Sequence, residues 1–178
     1  MRYKYILLSL LLLIVIFLMI LFLSEEREDM AGINQTYDRV MAPSLIGKYC
    51  RGVGEVIPGI NMDTSGNVIF LYNGYDCDDC IEAGFYTTKM IDSIFGKQKV
   101  LVVATMTNPV QQQTRYRYYD YIYMDEKDTI RRELNYIPTP AILYLNDSSK
   151  IIDTYFPLMG DNAGRENFIK GLQCSGDS

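Results

Sequence analysis

One stretch limits the fold more than any other: a short apolar run at 67–72, a turn containing Cys77 and Cys80, and a helical pattern from 80 to 95. The run Asn67-Val68-Ile69-Phe70-Leu71-Tyr72 is rich in β-formers and bounded by Gly66 and Asn73-Gly74, which predicts a buried central strand. Ile81, Phe85, Met90, Ile91 and Ile94 then recur at mostly helical offsets, with Gly96 placed as a stop. A second buried strand is expected at 100–104 and a helix at 125–134, where Ile130 and Leu134 lie four apart. Strand, helix, strand and helix in succession imply parallel pairing, hence an α/β domain.

Beyond Pro138-Thr139-Pro140, residues 141–145, a turn at 146–149 and residues 150–156 read as an antiparallel hairpin, and a last helix is expected at 162–172. Residues 43–63 are punctuated by Gly and Pro, so turns with a small hairpin are expected there rather than a helix.

The chain begins with a different kind of segment. Residues 6–23 carry no charge, and as a helix they would extend about 27 Å at about 1.5 Å per residue, just enough to cross a bilayer. Arg2 and Lys4 precede the block, while Glu25, Glu26, Glu28 and Asp29 surround Arg27 after it, so the positive-inside tendency puts Met1 in the cytoplasm. A cleaved secretory signal is the rival reading. Phe22, Leu23 and Ser24 offer no small-residue cleavage site, and the first cysteine, Cys50, is too distant for lipoprotein processing. Both readings export the rest of the chain. The organisation expected is a cytoplasmic N-terminus at 1–5, a membrane anchor at 6–23, a polar acidic tether at 24–42 and one domain at 43–178.

Charge and composition narrow the chemistry. A formal net charge of -5 over 178 residues argues against a nucleic-acid partner. No histidine occurs, which removes His triads, His metal ligands and the commonest general base. Gly52-Val53-Gly54 lacks the glycine spacing and preceding strand of a dinucleotide loop.

Chemistry therefore centres on Cys77-Asp78-Asp79-Cys80. Two thiols across one tight turn at a helix N-terminus face unpaired N–H groups and the positive end of the helix dipole, which favour a thiolate. Cys77 is the expected nucleophile, and Cys80, one turn inside, the thiol that attacks the mixed disulfide and releases a client. The other readings of a C-x-x-C pair are a structural disulfide or half of a zinc site. Zinc normally takes four Cys or His ligands, and here the remaining cysteines are isolated, so no metal is expected.

The residues VIFLYNGYDCDDCIEAGF, Val68 to Phe85, resemble the strand, cysteine turn and helix of the thioredoxin superfamily. Tyr136-Ile137-Pro138-Thr139-Pro140-Ala141 resembles the loop in which a cis-proline leads into an antiparallel strand. The spacing from Cys80 to Pro140 and the N-terminal block are closest to the membrane-anchored TlpA/ResA-like branch, and the likeness covers about residues 63–172. It implies a thioredoxin-like fold, thiol–disulfide exchange with proteins outside the cytoplasm, and client binding at Thr139 and Pro140. It also implies clients with cysteine pairs and a membrane partner that supplies or accepts electrons, with no organic cofactor.

Several positions depart from that pattern. Trp is absent from the chain, Asp76 precedes the first cysteine, and Gly-Pro does not stand between the two. Leu71 and Ala83 occupy the positions where relatives carry a buried acid. Asp76, Asp78 and Asp79 oppose a thiolate at Cys77, which points to a reducing or isomerising pair rather than a strong oxidant. The plainer reading of these acids is that they solvate and cap the helix. Glu82 and Asp79 are the candidates for proton transfer, although a surface carboxylate on a helix ordinarily has no such role.

Cys50 and Cys174 remain, as two unpaired thiols or as a bond tying the lead-in to the last helix. The stretch Arg115-Tyr116-Arg117-Tyr118-Tyr119-Asp120-Tyr121-Ile122-Tyr123 is expected to pack half its tyrosines on the core, with a client-docking surface as the sharper alternative. Gly74 stands where peroxidase relatives carry Thr or Ser, which disfavours that chemistry. The rival from another class is a non-catalytic thioredoxin-like binding or assembly module with a structural Cys77–Cys80 disulfide. A copper(I) chaperone is its weaker variant, since such relatives add a histidine ligand.

Overall fold

The computed structural model describes residues 11–19, 41–60, 67–96 and 99–175. The chain divides into two units, Met1–Tyr37 and Asp38–Ser178. In the first, residues 11–19 are helical with exposed apolar side chains. The rest of the expected 6–23 span, and the tether up to residue 40, lie outside the described residues. Among the described residues no helix is long and apolar enough to cross a membrane.

The second unit is built on a five-stranded sheet of β1 (Asn67–Asn73), β2 (Val100–Thr105), β3 (Ile122–Met124), β4 (Ala141–Leu145) and β5 (Ile151–Tyr155), in the order β3-β2-β1-β4-β5. β1 pairs in parallel with β2, and β2 with β3, whereas β4 runs antiparallel to both β1 and β5. Helices α1 (Gly52–Val56), α2 (Asp78–Phe95), α3 (Pro109–Tyr116), α4 (Thr129–Glu133) and α5 (Asn162–Ser175) surround it.

β1 lies at the centre because it is apolar on both faces. Val68, Phe70 and Tyr72 pack with Ile81, Phe85 and Ile91 of α2 and with Phe168 and Leu172 of α5. Ile69 and Leu71 pack on the other face with Leu45, Cys50, Val53, Ile130, Leu134 and Ile137. The two-residue strand period thus divides one continuous apolar run between two cores. This mixed sheet, parallel on one side of β1 and antiparallel on the other, is an α/β arrangement covered by helices on both faces.

Three regions depart from the sequence reading. Residues 41–45 and α1 are helical where turns and a hairpin were expected, because Leu45, Val53 and Ile57 must be buried under the sheet. Among the described residues of this stretch no hairpin forms, and Tyr49 instead makes an antiparallel bridge to Lys150. α4 starts at Thr129 rather than 125. The buried Asp125 carboxylate accepts from the N–H groups of Thr129 (2.8 Å) and Ile130 (2.9 Å), and Asp128 turns left-handed at φ 51°, so the first turn cannot begin sooner. The tyrosine-rich stretch contributes α3 and the edge strand β3. It buries Tyr116 and Tyr118 and exposes Tyr119 and Tyr121, the even division expected.

Candidate active site

The site starts where β1 stops. Gly74 donates its N–H to the Thr105 carbonyl (2.9 Å), and a Cβ at this position would collide with the Met106 carbonyl and crowd Thr107. Only glycine lets the two strand ends approach so closely. The chain then folds back on itself. Asn73 Oδ1 accepts from the Tyr75 N–H (2.9 Å), while Asp76 Oδ2 accepts from the Asn73 N–H (2.7 Å) and the Asp76 N–H donates to the Asn73 carbonyl (3.0 Å). This tight loop delivers Cys77 to the N-cap of α2.

Cys77 is non-helical (φ -55°, ψ 123°) and its carbonyl accepts the N–H groups of Cys80 (3.0 Å) and Ile81 (2.9 Å), closing the first turn. Its side chain is exposed, whereas Cys80 is 8% exposed; both are free thiols. The Cys80 thiol donates a hydrogen bond to the Cys77 sulfur. Burial pushes the Cys80 pKa well up, and the Cys77 contact and the Asp79 and Asp76 carboxylates push it further. One accessible sulfur and one shielded, protonated sulfur is the division a two-step exchange requires.

The second half of the site arrives from sixty residues downstream. The Thr139–Pro140 peptide is cis, Pro140 is buried, and the Thr139 hydroxyl donates to Asp76 Oδ1 (2.8 Å). That bond fixes the loop before β4 against the residue preceding Cys77, so Cys77, Cys80, Thr139 and Pro140 are brought into one site. Tyr75, Met106 and Tyr136, all largely exposed, lie in loops at the same end of the sheet.

The acids of the turn have different surroundings. Asp78 accepts from the Arg115 guanidinium and from the Tyr116 hydroxyl (3.3 Å), both on α3. Asp79 and Glu82, the expected proton carriers, are exposed on α2. Asp76 is half-buried; burial raises its pKa, against the opposing pull of its hydrogen bonds from Asn73 and Thr139 and of the Arg131 charge. Leu71 and Ala83 are both buried, so the positions where relatives hold an acid are apolar here. Sequence reasoning treated Asp76 as one of three equivalent charges; its adjacency to Cys77 was the only signal, and the bond to Thr139 was not readable.

Cys50 is buried among Leu45, Val53 and Ile57, while Cys174 is exposed on α5, and both are free. Burial, with a smaller contribution from Glu133, pushes the Cys50 thiol up to about 12.

No family model and no curated protein matches the chain. Solved structures resembling it include a thiol-disulfide isomerase from Corynebacterium glutamicum (TM-score 0.48, 14% identity, 71% of this chain and 91% of that one). StoA from Bacillus subtilis matches with a TM-score of 0.44 and 16% identity, over 64% of this chain and 84% of that one. A secreted disulfide oxidoreductase of Mycobacterium tuberculosis, homologous to E. coli DsbE, matches with a TM-score of 0.45 and 12% identity, over the same shares. Likenesses this distant carry no argument about activity, which has to be reasoned from the site.

Proposed function

We propose that the chain is a thiol–disulfide oxidoreductase acting on cysteines of extracytoplasmic proteins, held at the cytoplasmic membrane by residues 6–23. The observation that carries this reading is the cysteine turn itself: an exposed Cys77 at a helix N-terminus, a shielded Cys80 in hydrogen-bond contact with it, and the Thr139–Pro140 loop tied to the preceding residue. Cys77, as the thiolate, attacks a client disulfide. Cys80 then attacks the Cys77 sulfur, the client leaves reduced, and the pair is left oxidised. Thr139 and Pro140 present backbone to the extended client chain, with Tyr75, Met106 and Tyr136 as an apolar rim. A membrane partner restores the reduced pair.

The direction proposed is reducing or isomerising. A strong oxidant needs a reduced form stabilised by ionisation, and here burial first, then the Cys77 sulfur and the Asp79 and Asp76 carboxylates, oppose ionisation of Cys80. A structural disulfide would sit more naturally at a buried pair, so the exposure of Cys77 favours exchange over the binding-module alternative.

Equilibration of the full chain in glutathione and dithiothreitol buffers tests the proposal. A reversible two-electron transition is expected, lost in Cys77→Ala and Cys80→Ala, with a potential below about -200 mV. Cys80→Ala should accumulate mixed disulfides through Cys77. A pair that stays oxidised in strong reductant, or a Cys80→Ala chain that traps no client, would leave the cysteines a structural role.

A further inference from the structure

We propose that Asp76 is a positioning residue for the exchange reaction: through the Thr139 hydroxyl, its carboxylate holds the client-presenting loop at a fixed distance from Cys77. The inference rests on the exchange reading above, and Asp76 needs no contact with the reacting sulfurs.

That loop is held from two sides. The Thr139 hydroxyl donates to Asp76 Oδ1 (2.8 Å), and Arg131 Nε of α4 donates to the Ile137 carbonyl (3.3 Å). The rings of Pro138 and Pro140 fix φ at two positions between and beyond these bonds, and the Thr139–Pro140 peptide is cis. Ile137 and Pro140 are buried, so the far end of the loop is seated in the domain. The Thr139 bond is what joins its near end to the cysteine turn.

Three features fit Asp76 to this role. It is anchored itself: Oδ2 accepts from the Asn73 N–H (2.7 Å) and its own N–H donates to the Asn73 carbonyl (3.0 Å), so the carboxylate is fixed to the end of β1. It is half-buried, and a hydrogen bond to a carboxylate partly withdrawn from water is stronger than one between neutral groups in solvent. It immediately precedes Cys77, the N-cap of α2, so a loop fixed to Asp76 is fixed relative to the attacking residue. Its neighbours have other surroundings, since Asp78 is engaged by Arg115 and Tyr116 and Asp79 is exposed. Exchange requires the attacking, central and leaving sulfurs to be aligned, and a displacement of about 1 Å can cost about 100-fold in rate. A client lying on a loop tied to Asp76 keeps that alignment.

The test compares two disulfides with the same leaving group. One is a short unstructured peptide whose single cysteine is joined to thionitrobenzoate; the other is dithiobis(nitrobenzoate), which has no peptide chain. The full chain in detergent would carry Cys174→Ser to remove the other exposed thiol and Cys80→Ala to stop the reaction after its first step. The Cys77 thiolate attacks the peptide sulfur, a disulfide forms between them, the bond to thionitrobenzoate breaks, and thionitrobenzoate leaves as a coloured thiolate. The readout is the ratio of the peptide rate constant to the dithiobis(nitrobenzoate) rate constant, which cancels any change in the reactivity of Cys77 itself. Free glutathione, reacting with the same two compounds, gives the ratio for unassisted chemistry.

Thr139→Val should lower the ratio by about 10- to 100-fold, whereas Thr139→Ser, which keeps the donor, should hold it near the wild-type value. Asp76→Ala should lower it as far, and should add little once Thr139→Val is present, because both changes break one bond. A merely structural role would lower stability and leave the ratio where it was. An unchanged ratio in Thr139→Val, a Thr139→Ser ratio as low as that of Thr139→Val, or additive losses in the double variant would each overturn the inference. Should Asp76→Ala not fold, the two Thr139 variants decide. If the wild-type ratio is no higher than that of glutathione, or if Cys77→Ala still releases colour, the exchange reading itself fails, whatever Asp76 does.

Discussion

Gly84 lies on the buried face of α2, and its substitution by alanine tests how tightly that helix is seated on β1. A Cβ there would run into the Cζ and Cε2 atoms of Phe70 and lie 3.1 Å from Cε1. The ring has nowhere to go: Phe70 is fully buried, with its centroid 5.3 Å from Tyr72 and 5.2 Å from Phe85. Overpacking of this kind costs about 1–3 kcal/mol, and an overlap with a boxed-in ring belongs at the upper end. Alanine in a helix interior returns about 1 kcal/mol. The net expectation for Gly84→Ala is about 2 kcal/mol of destabilisation, or a melting temperature lower by about 4–8 °C at about 2–4 °C per kcal/mol. Gly54→Ala is the control, since nothing lies within 4 Å of its added methyl, and it should stabilise by up to about 1 kcal/mol. Urea unfolding followed by circular dichroism, analysed at constant slope, measures both. A Gly84→Ala protein as stable as wild type would refute the seating of α2 on Phe70. Phe70→Leu should relieve the clash, so the two substitutions together should cost less than their sum.

Three further expectations can be checked with standard measurements. Asp125→Ala strands two N–H groups at a position 2% exposed, and should lower stability in urea by about 2–3 kcal/mol, with Asp125→Asn closer to wild type. Iodoacetamide at pH 8 should label Cys77 and Cys174 in the folded chain, and Cys50, with its thiol pushed up to about 12, only after denaturant is added; mass spectrometry reads the sites, and equal labelling of Cys50 and Cys174 would contradict its burial. Burial raises the carboxyls of Asp92 and Asp153, so between the ordinary aspartate pKa of about 3.9 and their raised values the folded chain holds more protons than the unfolded one. Stability should therefore fall as pH rises through that window, and Asp153→Asn should flatten the fall in urea midpoints.

Much of this architecture was readable where one residue's neighbours in sequence are also its neighbours in effect. β1, β2 and β4 announce themselves as unbroken apolar runs because each is buried on both faces, and α2 through the spacing of Ile81, Phe85 and Ile91. The turn from Cys77 to Cys80 stands out as a short local pattern, whereas Thr139 and Pro140 stand out through the resemblance to the thioredoxin superfamily. β3 was not: three residues in a tyrosine-rich stretch gain their strand geometry only from pairing Val102, Val103 and Ala104 of β2. α3 did carry a signal in Asn108-Pro109, where the Asn108 side chain accepts from the Gln111 N–H (3.3 Å) and proline opens the first turn. The late start of α4 depends on how far the Asp125 side chain is buried, which no local pattern reports.

The three acids around Cys77 show why a site can be located from sequence and still be misjudged in its chemistry. On paper Asp76, Asp78 and Asp79 are interchangeable charges in one turn. In the fold Asp78 meets Arg115 and Tyr116, thirty-seven and thirty-eight residues on, and Asp76 meets Thr139, sixty-three residues on, while Asp79 is left in water. The Arg115 pair is too exposed to stabilise the fold by much, since surface ion pairs are typically worth about 0–1 kcal/mol. What it changes is the local field, because it places a cation beside the carboxylate next to Cys77. The segment between β2 and β3 that supplies Arg115 thus belongs to the site as much as to the core, through the α3 residue Tyr116, which stacks on Phe85 (4.8 Å) and binds Asp78 with the same side chain. Only after the sheet has assembled do three equal charges become a countered one, a solvated one and a half-buried one. Burial raises the basicity of the half-buried one, Asp76, against the pull of its bonds from Asn73 and Thr139.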